Sequence, residues 1–270
     1  MKAIVNQTVC MLYTRPTRES SLTDEVLYGM VVELLEETEP GWYRVRTHYH
    51  YEGYAAAEDL LMGHAEEWEQ HDKIMVMHKN NCDVLSEPKV QGYPMQHLTR
   101  GSLVIYEGEE ADGWLKVRLT DGRTGFLPSS IMVPQPTGPV SADEQTLRQA
   151  LVDAAMGYQG THYRWGGKSP QGIDCSGLCS MAYMLCGILI FRDADIREGF
   201  PIREISPDKI APGDLIFFPG HVAMYIGDGR YCHSTGRAGS NGFAINSLNP
   251  QDPDYREDLH KKILRIGSYF

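Results

Sequence analysis

The sequence predicts an α+β domain preceded by two small all-β units, and three observations lead to this prediction. The first half of the chain repeats itself at an offset of 72 residues. A proline-rich segment, 134–139, then interrupts the pattern as an extended linker would. The rest of the chain combines helical spacing with short apolar runs. A chain of 270 residues has room for two or three such units.

The repeat joins two copies of one β unit, because runs such as 42–46 and 114–118 alternate between polar and apolar residues and are bounded by turn residues. The matching pairs are Cys10 and Cys82, Gly29 and Gly101, Gly41-Trp42 and Gly113-Trp114, Val45 and Val117, and Gly53-Tyr54 and Gly125-Phe126. This order of glycines, tryptophan, valine and a glycine-aromatic pair resembles the bacterial SH3-like barrels that are often attached to wall hydrolases. We therefore expect a first barrel at 1–64 and a second barrel at 72–134.

The third predicted domain covers residues 141–270 and begins with a helix. Ser141-Ala142-Asp143-Glu144 has the form of a capping box with Ser141 as its first residue. The apolar residues that follow at helical spacing are Leu147, Ala150, Leu151, Ala154 and Ala155. Further along, 214–218 and 221–234 are predicted strands with a turn at Asp228-Gly229.

Composition excludes several classes of partner. The formal net charge of −11 provides no basic patch for phosphate groups, which argues against nucleic acid and anionic membranes. The longest apolar stretch, 178–191, has 14 residues, too few to cross a bilayer. The first 20 residues lack the apolar core of a secretory signal, so we expect a cytoplasmic protein. Its six irregularly spaced cysteines then predict free thiols, one of which is available for catalysis.

Cys175 is the candidate nucleophile. Glycines and a proline in the stretch YRWGGKSPQGIDCSG form a loop that leads Asp174-Cys175-Ser176 into an apolar helix. At a helix N-terminus, unpaired N–H groups and the helix dipole favour a thiolate, and such cysteines have pKa values of ~3.5–7.5. The same N–H groups can stabilise the oxyanion of a tetrahedral intermediate.

His221 and His233 are the candidate bases, twelve residues apart across the Asp228-Gly229 turn. Side chains alternate along a strand, so both rings share a face only if a bulge or an odd-numbered loop joins the strands. In that register the rings are diagonal neighbours and can hydrogen-bond to each other. A strict two-residue turn would instead place them on opposite faces.

The motifs DCSG at 174–177 and GHVAMYIG at 220–227, with a second histidine twelve residues after the first, resemble the NlpC-type family of papain-like peptidases that cut bacterial wall peptides. The resemblance implies an α+β papain-like catalytic domain preceded by two small all-β SH3-like barrels. It also implies that Cys175 is the nucleophile, that His221 is the general base and acid, and that His233 orients His221. Tyr163, in YRWGG, is similar to the family tyrosine that assists the oxyanion.

With its two SH3-like units, the whole chain resembles the intracellular γ-D-glutamyl-L-diamino acid endopeptidases of muropeptide recycling. That resemblance implies a murein tripeptide or tetrapeptide as substrate, with release of L-Ala-γ-D-Glu and without a cofactor. Asp174 and Ser176 match positions that contact the peptide, and Trp165 matches an aromatic wall of the cleft. Whether the third peptide residue is diaminopimelate or lysine stays open, as does the oligomeric state.

The resemblance further implies that the first barrel caps the active site and recognises the free amine of L-alanine. Glu25 and either Tyr51 or Tyr54 are the candidates for this cap. A buried ammonium needs a carboxylate partner, since an unpaired charge in a cleft is costly.

Three alternatives remain at this point. Zinc binding has enough ligand atoms in Cys175, Cys179, His221, Cys232 and His233, but the paired CxxC or HExxH spacings are missing. Acyl transfer or deamidation would use the same residues as hydrolysis. A wall-binding module with an inactive third domain is the non-enzymatic alternative.

Overall fold

The structure, a computed structural model, describes residues 1–109 and 111–270. It forms two compact units, Met1–Gln135 and Pro136–Phe270. Both predicted barrels lie in the first unit, and the division into three domains stays a prediction. Within the described residues, no helix is long and apolar enough to cross a membrane.

The first unit contains two seven-stranded antiparallel sheets of the same topology. Strand order is β3-β2-β6-β5-β4-β1-β7 in the first and β10-β9-β13-β12-β11-β8-β14 in the second, so each strand recurs seven positions later. The first sheet comprises β1 Lys2–Val5, β2 Val9–Tyr13, β3 Leu22–Leu27, β4 Val31–Glu39, β5 Trp42–Thr47, β6 Glu52–Ala56 and β7 Leu60–Met62. The second comprises β8 Lys73–Val76, β9 Asn81–Leu85, β10 Pro94–Thr99, β11 Leu103–Glu109, β12 Trp114–Arg118, β13 Thr124–Pro128 and β14 Met132–Pro134. The internal repeat is confirmed as a duplicated sheet.

The two sheets share buried residues. Tyr28, in the turn after β3, is 1% exposed and packs in the apolar core of the second sheet. Helix α1, Ala65–Gln70, places Trp68 between Ile4 of the first sheet and Ile105 of the second. The two sheets therefore bury apolar side chains against each other at two places.

The second unit is an α+β domain. Its helices are α2 Glu144–Met156, α3 Cys175–Leu185 and α4 Glu257–His260. Its strands are β15 Lys168–Ser169, β16 Gly172–Ile173, β17 Arg203–Ile205, β18 Leu215–Phe218, β19 His221–Gly227, β20 Arg230–Thr235, β21 Gly242–Ser247 and β22 Arg265–Ser268. Six of the strands form a sheet of order β17-β22-β18-β19-β20-β21, and β15 pairs with β16.

The start of α2 corrects the predicted capping box. The N-cap is Asp143 rather than Ser141, and its side chain accepts a hydrogen bond from the Thr146 N–H at 2.8 Å. Aspartate is as good an N-cap as serine, so the helix begins two residues later than the Ser141 pattern predicts.

Helix α3 is buried on nearly all sides and packs against β19 and β20. Its predicted apolar residues, Leu178, Met181, Ala182 and Leu185, are at most 1% exposed. A helix held in this way gives its first residue a fixed position beside the beginning of β19.

Candidate active site

Cys175 is the first residue of α3, as predicted, and Asp174 is the N-cap. Its sulfur accepts hydrogen bonds from the backbone N–H groups of Ser176 and Val222. Val222 directly follows His221 on β19, so the sulfur lies beside the strand that carries the candidate base. The side chain is 7% exposed and therefore retains some solvent contact.

The thiol of Cys175 is protonated at neutral pH, which differs from the expected thiolate. Burial raises the pKa of Cys175 to about 11, with a smaller contribution from the Asp174 carboxylate. The Val222 and Ser176 N–H groups and Arg192 act in the opposite direction but are outweighed. Desolvation disfavours the charged form more than the helix terminus favours it. A base is therefore needed to remove the proton.

His221 and His233 meet as the sequence predicts for a bulged hairpin. Met224 pairs with Cys232 and Tyr225 with Tyr231, and the register then shifts before Gly227. The rings hydrogen-bond through Nε2 of His221 and Nδ1 of His233 at 2.7 Å. The predicted ring-to-ring contact is thus confirmed.

Both histidines are neutral at pH 7. Burial lowers the pKa of His221 to about 4, and the nearby Arg256 lowers it further. Burial also lowers the pKa of His233 to about 3, with His221 as the next cause. A neutral imidazole has a lone pair that can accept the proton of a thiol, which is what a general base requires.

Asp174 and Ser176 are held by a buried arginine that the sequence did not single out. The guanidinium of Arg192 donates to both carboxylate oxygens of Asp174 at 3.1 Å and to Ser176 Oγ at 2.8 Å. The carboxylate also accepts from the N–H groups of Gly166 and Gly177. This network fixes the residues on either side of Cys175.

Gly177, the glycine of the DCSG motif, is required for steric reasons. A Cβ on Gly177 would lie 2.1 Å from the carbonyl oxygen of Gly167. The YRWGG segment therefore packs directly against the first turn of α3, and only glycine permits this approach.

Tyr163 lies close to the candidate nucleophile. Its backbone N–H donates to the Asn241 carbonyl at 3.0 Å, and its ring packs over Gly236. Burial raises the pKa of Tyr163 to about 12, and the neighbouring Cys175 and Asp174 add to the shift. The phenol keeps its proton at neutral pH and can donate a hydrogen bond.

Trp165 and the barrel candidates occupy varied environments. Trp165 is 68% exposed. Glu25 is buried on β3, whereas Tyr51 and Tyr54 are half-buried. The Tyr51 hydroxyl hydrogen-bonds at 3.0 Å to Oγ1 of Thr23, which is two residues before Glu25 in the chain. Tyr54, on β6, pairs with Tyr13 on β2. Their role as a cap stays a prediction.

No group of three or more His, Cys, Asp or Glu side chains suited to a metal ion occurs within 1–109 and 111–270. Cys232 and His233 are neighbours on β20, and successive side chains of a strand point to opposite faces. They do not combine into one ligand set.

Comparison with known proteins decides the family. Residues 160–256 match the NlpC/P60 family model. A dipeptidyl-peptidase 6 from Lysinibacillus sphaericus is 45% identical over the full length of both chains. The chain belongs to the NlpC/P60 family. It is accordingly a cysteine peptidase by family.

Further comparisons of this NlpC/P60 chain cover its N-terminal region and its overall fold. Residues 11–60 match the bacterial SH3 domain model. A γ-D-glutamyl-L-lysine dipeptidyl-peptidase from Bacillus cereus is 30% identical over 62% of this chain and 44% of its own length. The crystal structure of an NlpC/P60 family protein from Bacillus cereus superposes with a TM-score of 0.81 at 22% identity, covering 100% of this chain and 99% of that one. The predicted fold, an α+β papain-like domain after SH3-like barrels, is confirmed.

Two polar residues of this NlpC/P60 site were missed by sequence reasoning, Arg192 and Asn246. Arg192 stands in the polar segment FRDADIREG, where nothing in the residue pattern distinguishes it from its exposed neighbours. Asn246 lies on β21, and its Oδ1 accepts a hydrogen bond from His233 Nε2 at 2.9 Å. A single asparagine in an amphipathic strand carries no sequence signal of this kind.

Proposed function

We propose that this chain is a cysteine endopeptidase that hydrolyses the γ-D-glutamyl–diamino acid bond of cell-wall peptides with a free N-terminal L-alanine. The observation that carries the proposal is the position of the Cys175 sulfur, beside the strand whose first residue, His221, is hydrogen-bonded to His233. The relatives named dipeptidyl-peptidase 6 and γ-D-glutamyl-L-lysine dipeptidyl-peptidase support this substrate class.

In the proposed reaction His221 takes the proton from Cys175 while the sulfur attacks the amide carbonyl carbon. Because the thiol is protonated at rest, His221 has to take its proton before or during the attack. The imidazolium then gives its proton to the amine of the leaving diamino acid, and a thioester remains. Water, deprotonated by His221, hydrolyses the thioester and regenerates the thiol. His233 orients the base through the Nε2–Nδ1 hydrogen bond.

Two further groups are proposed to act on the carbonyl oxygen. The phenol of Tyr163 is protonated and lies near Cys175, so it can donate to an oxyanion. Backbone N–H groups at the first turn of α3 supply the second donor, in keeping with the helix dipole.

Substrate recognition is proposed to involve Asp174, Ser176 and Trp165 next to Cys175. Glu25, with Tyr51 or Tyr54, is proposed to bind the free alanine amine. A carboxylate is the required partner for an ammonium that leaves water. A location in the cytoplasm and a part in wall recycling belong to the same proposal, and cell fractionation tests the location.

The test is incubation with L-Ala-γ-D-Glu-meso-diaminopimelate, followed by mass spectrometry of the products. Wild-type protein should release L-Ala-γ-D-Glu and the free diamino acid. Cys175→Ala should release neither, while Cys186→Ala, which removes another buried thiol just after the same helix, should remain active. An intact tripeptide after incubation with folded wild-type protein would refute the substrate assignment.

The proposed cap is tested with the N-acetylated form of the same tripeptide. Wild-type protein should cut it much more slowly than the tripeptide with a free amine. Glu25→Gln should reduce the difference between the two rates. Glu33→Gln is the matched control, because Glu33 lies on β4 and pairs with Arg46. Equal rates on the two peptides with wild-type protein would refute recognition of the amine.

A further inference from the structure

The hydrogen-bonded chain that starts at His221 continues beyond His233. Nε2 of His233 lies 2.9 Å from Oδ1 of Asn246, and Nδ2 of Asn246 lies 2.7 Å from the backbone carbonyl oxygen of Asp254. His233 is on β20, and Asn246 is on the neighbouring strand β21. Each contact is of normal hydrogen-bond length.

The carbonyl of Asp254 fixes which way the Asn246 amide points. A backbone carbonyl only accepts hydrogen bonds, so the NH2 group of Asn246 has to face it. The reverse orientation would place the amide oxygen against a second acceptor. Oδ1 therefore faces His233.

The amide orientation determines the tautomers of both rings. Oδ1 of Asn246 only accepts, so Nε2 of His233 carries a proton. Since His233 is neutral, its Nδ1 is the acceptor for a proton on Nε2 of His221. His221 is neutral as well, so its Nδ1 has a free lone pair.

The groups that surround His233 act on its protonation state in both directions. The ring of Tyr231 packs edge-on with its centroid 5.3 Å from that of His233. Arg256 disfavours a positive charge on His233, while the carboxylate of Asp258, which pairs with Arg256, acts in the opposite direction. Burial, with His221 as the next cause, outweighs the opposing effects of the Asn246 hydrogen bond and of Asp258 on the pKa of His233, so the ring stays neutral.

We propose that Asn246 is a positioning residue that sets the tautomer of His233 and thereby keeps Nδ1 of His221 unprotonated for its role as the base. The inference rests on the proposed function, in which His221 accepts the proton of Cys175. Asn246 acts through two other residues and does not touch the reacting atoms. Without it, His233 can protonate Nδ1 instead of Nε2, and His221 then holds its own proton on the nitrogen that has to accept one.

Asn246→Leu and Asn246→Asp separate this role from a packing role. Leucine removes the acceptor at nearly constant volume, and kcat on the tripeptide should fall by ~10- to 100-fold, as when the hydrogen-bond partner of a metal-bound imidazole is removed. KM should change little. Aspartate keeps the acceptor for Nε2 of His233 but turns its second oxygen toward the Asp254 carbonyl, so part of kcat should return. The acidic limb of the pH profile should move to higher pH because the carboxylate favours protonation of His233.

Asn249→Ala is the matched control, since Asn249 is an exposed asparagine three residues further on whose amide bonds to Asp252. It should leave kcat and the pH profile unchanged. Wild-type kcat in Asn246→Leu would overturn the proposal, as would equal losses in Asn246→Leu and Asn246→Asp.

The tautomers can also be read directly in wild-type protein, without a substrate or an altered fold. Selective ¹⁵N labelling of histidine and NMR at pH 7 should show Nε2–H on both His221 and His233. Nδ1–H on either ring would overturn the proposal. If wild-type protein fails to cut the tripeptide but shows these tautomers, the proposed function fails while the assignment of Asn246 stands.

Discussion

Asp174 and Arg192 fix the position of Cys175 at the start of α3. Asp174 could be read from the sequence as the residue before a helix, but its partner could not. Arg192 is 1% exposed, although it stands in a segment of charged residues that would ordinarily face solvent. Its burial depends on how the segment after α3 folds back, which is a property of the tertiary structure.

Arg192→Leu should lower the free energy of unfolding of the second unit by ~3–5 kcal/mol, because it leaves the Asp174 carboxylate buried without its cation. Arg197→Leu is the control, since Arg197 is exposed and lies over the Phe191 ring. Urea unfolding, monitored by hydrogen exchange of the α3 amides, measures the free energy of unfolding of both variants. Similar losses in the two variants would mean that the Asp174–Arg192 pair does not hold the helix start.

The neutral histidine pair makes the second unit sensitive to acid. In the folded state the pKa of His221 is about 4 and that of His233 about 3, against an ordinary value of 6.5. The unfolded chain therefore binds more protons than the folded one from pH 6.5 down to about pH 4 at His221 and about pH 3 at His233. The stabilisation is fully present above pH 6.5 and is lost as pH falls through this window.

For His221 alone the loss should amount to about 3 kcal/mol between pH 7 and pH 4. Urea unfolding midpoints measured across this range should fall with acid in wild-type protein and less steeply in His221→Gln. His260→Gln, which removes an exposed histidine, should keep the wild-type slope. A wild-type slope in His221→Gln would contradict a buried neutral ring.

At the scale of elements, the hairpin of β19 and β20 was predictable except for its register. The apolar runs and Asp228-Gly229 indicated two strands and a turn. Sequence could not decide between a strict two-residue turn and a bulge, because both fit the same residues. The structure has a bulge at Ile226, between the Tyr225–Tyr231 and Gly227–Arg230 pairs.

Deletion of Ile226 should preserve catalysis. Asp228 and Gly229 both have positive φ, as in the tight turns that close two-residue hairpins, so the shortened strand can pair regularly. The Met224–Cys232 register stays the same, and His221 remains on the face of His233. Tripeptide hydrolysis measures the result, and loss of activity in a folded protein would show that the bulge itself is required.

Deletion of Ala223 is the contrasting variant. It lies between His221 and the paired residues, so its removal shifts His221 to the opposite face of the sheet. Hydrolysis should fall on the order of 10⁴-fold, as when a catalytic group is removed. Activity retained in this variant would contradict the role of the shared face.

At the scale of the whole molecule, the repeat predicted two copies of one sheet, and their common strand order agrees with it. It did not predict that Tyr28 enters the core of the second sheet. The residue at the same position of the second copy is Arg100, so the repeat itself carries no sign of this contact. Asymmetric contacts between duplicated units cannot be derived from what the copies share.

Gly29→Ala should lower the free energy of unfolding of the first unit by more than backbone strain at a positive φ alone would. Gly29 has φ +79°, and a Cβ there would lie 2.2 Å from the Leu103 carbonyl oxygen. Gly41 has φ +81° with no atom within 4 Å, so Gly41→Ala carries only the backbone cost of ~1–2 kcal/mol. The clash should add ~1–3 kcal/mol in Gly29→Ala. Tryptophan fluorescence in urea measures both, and equal losses would contradict the close approach.

Cys175 is the proposed nucleophile, so chemical modification of its thiol should abolish hydrolysis. The chain has six cysteines, all free. Limited treatment with iodoacetamide, peptide mapping by mass spectrometry and parallel assays of tripeptide hydrolysis give the modified fraction of each thiol. Loss of hydrolysis should follow the alkylated fraction of Cys175 one to one. Full activity with Cys175 completely alkylated, or loss that follows another cysteine, would contradict the account.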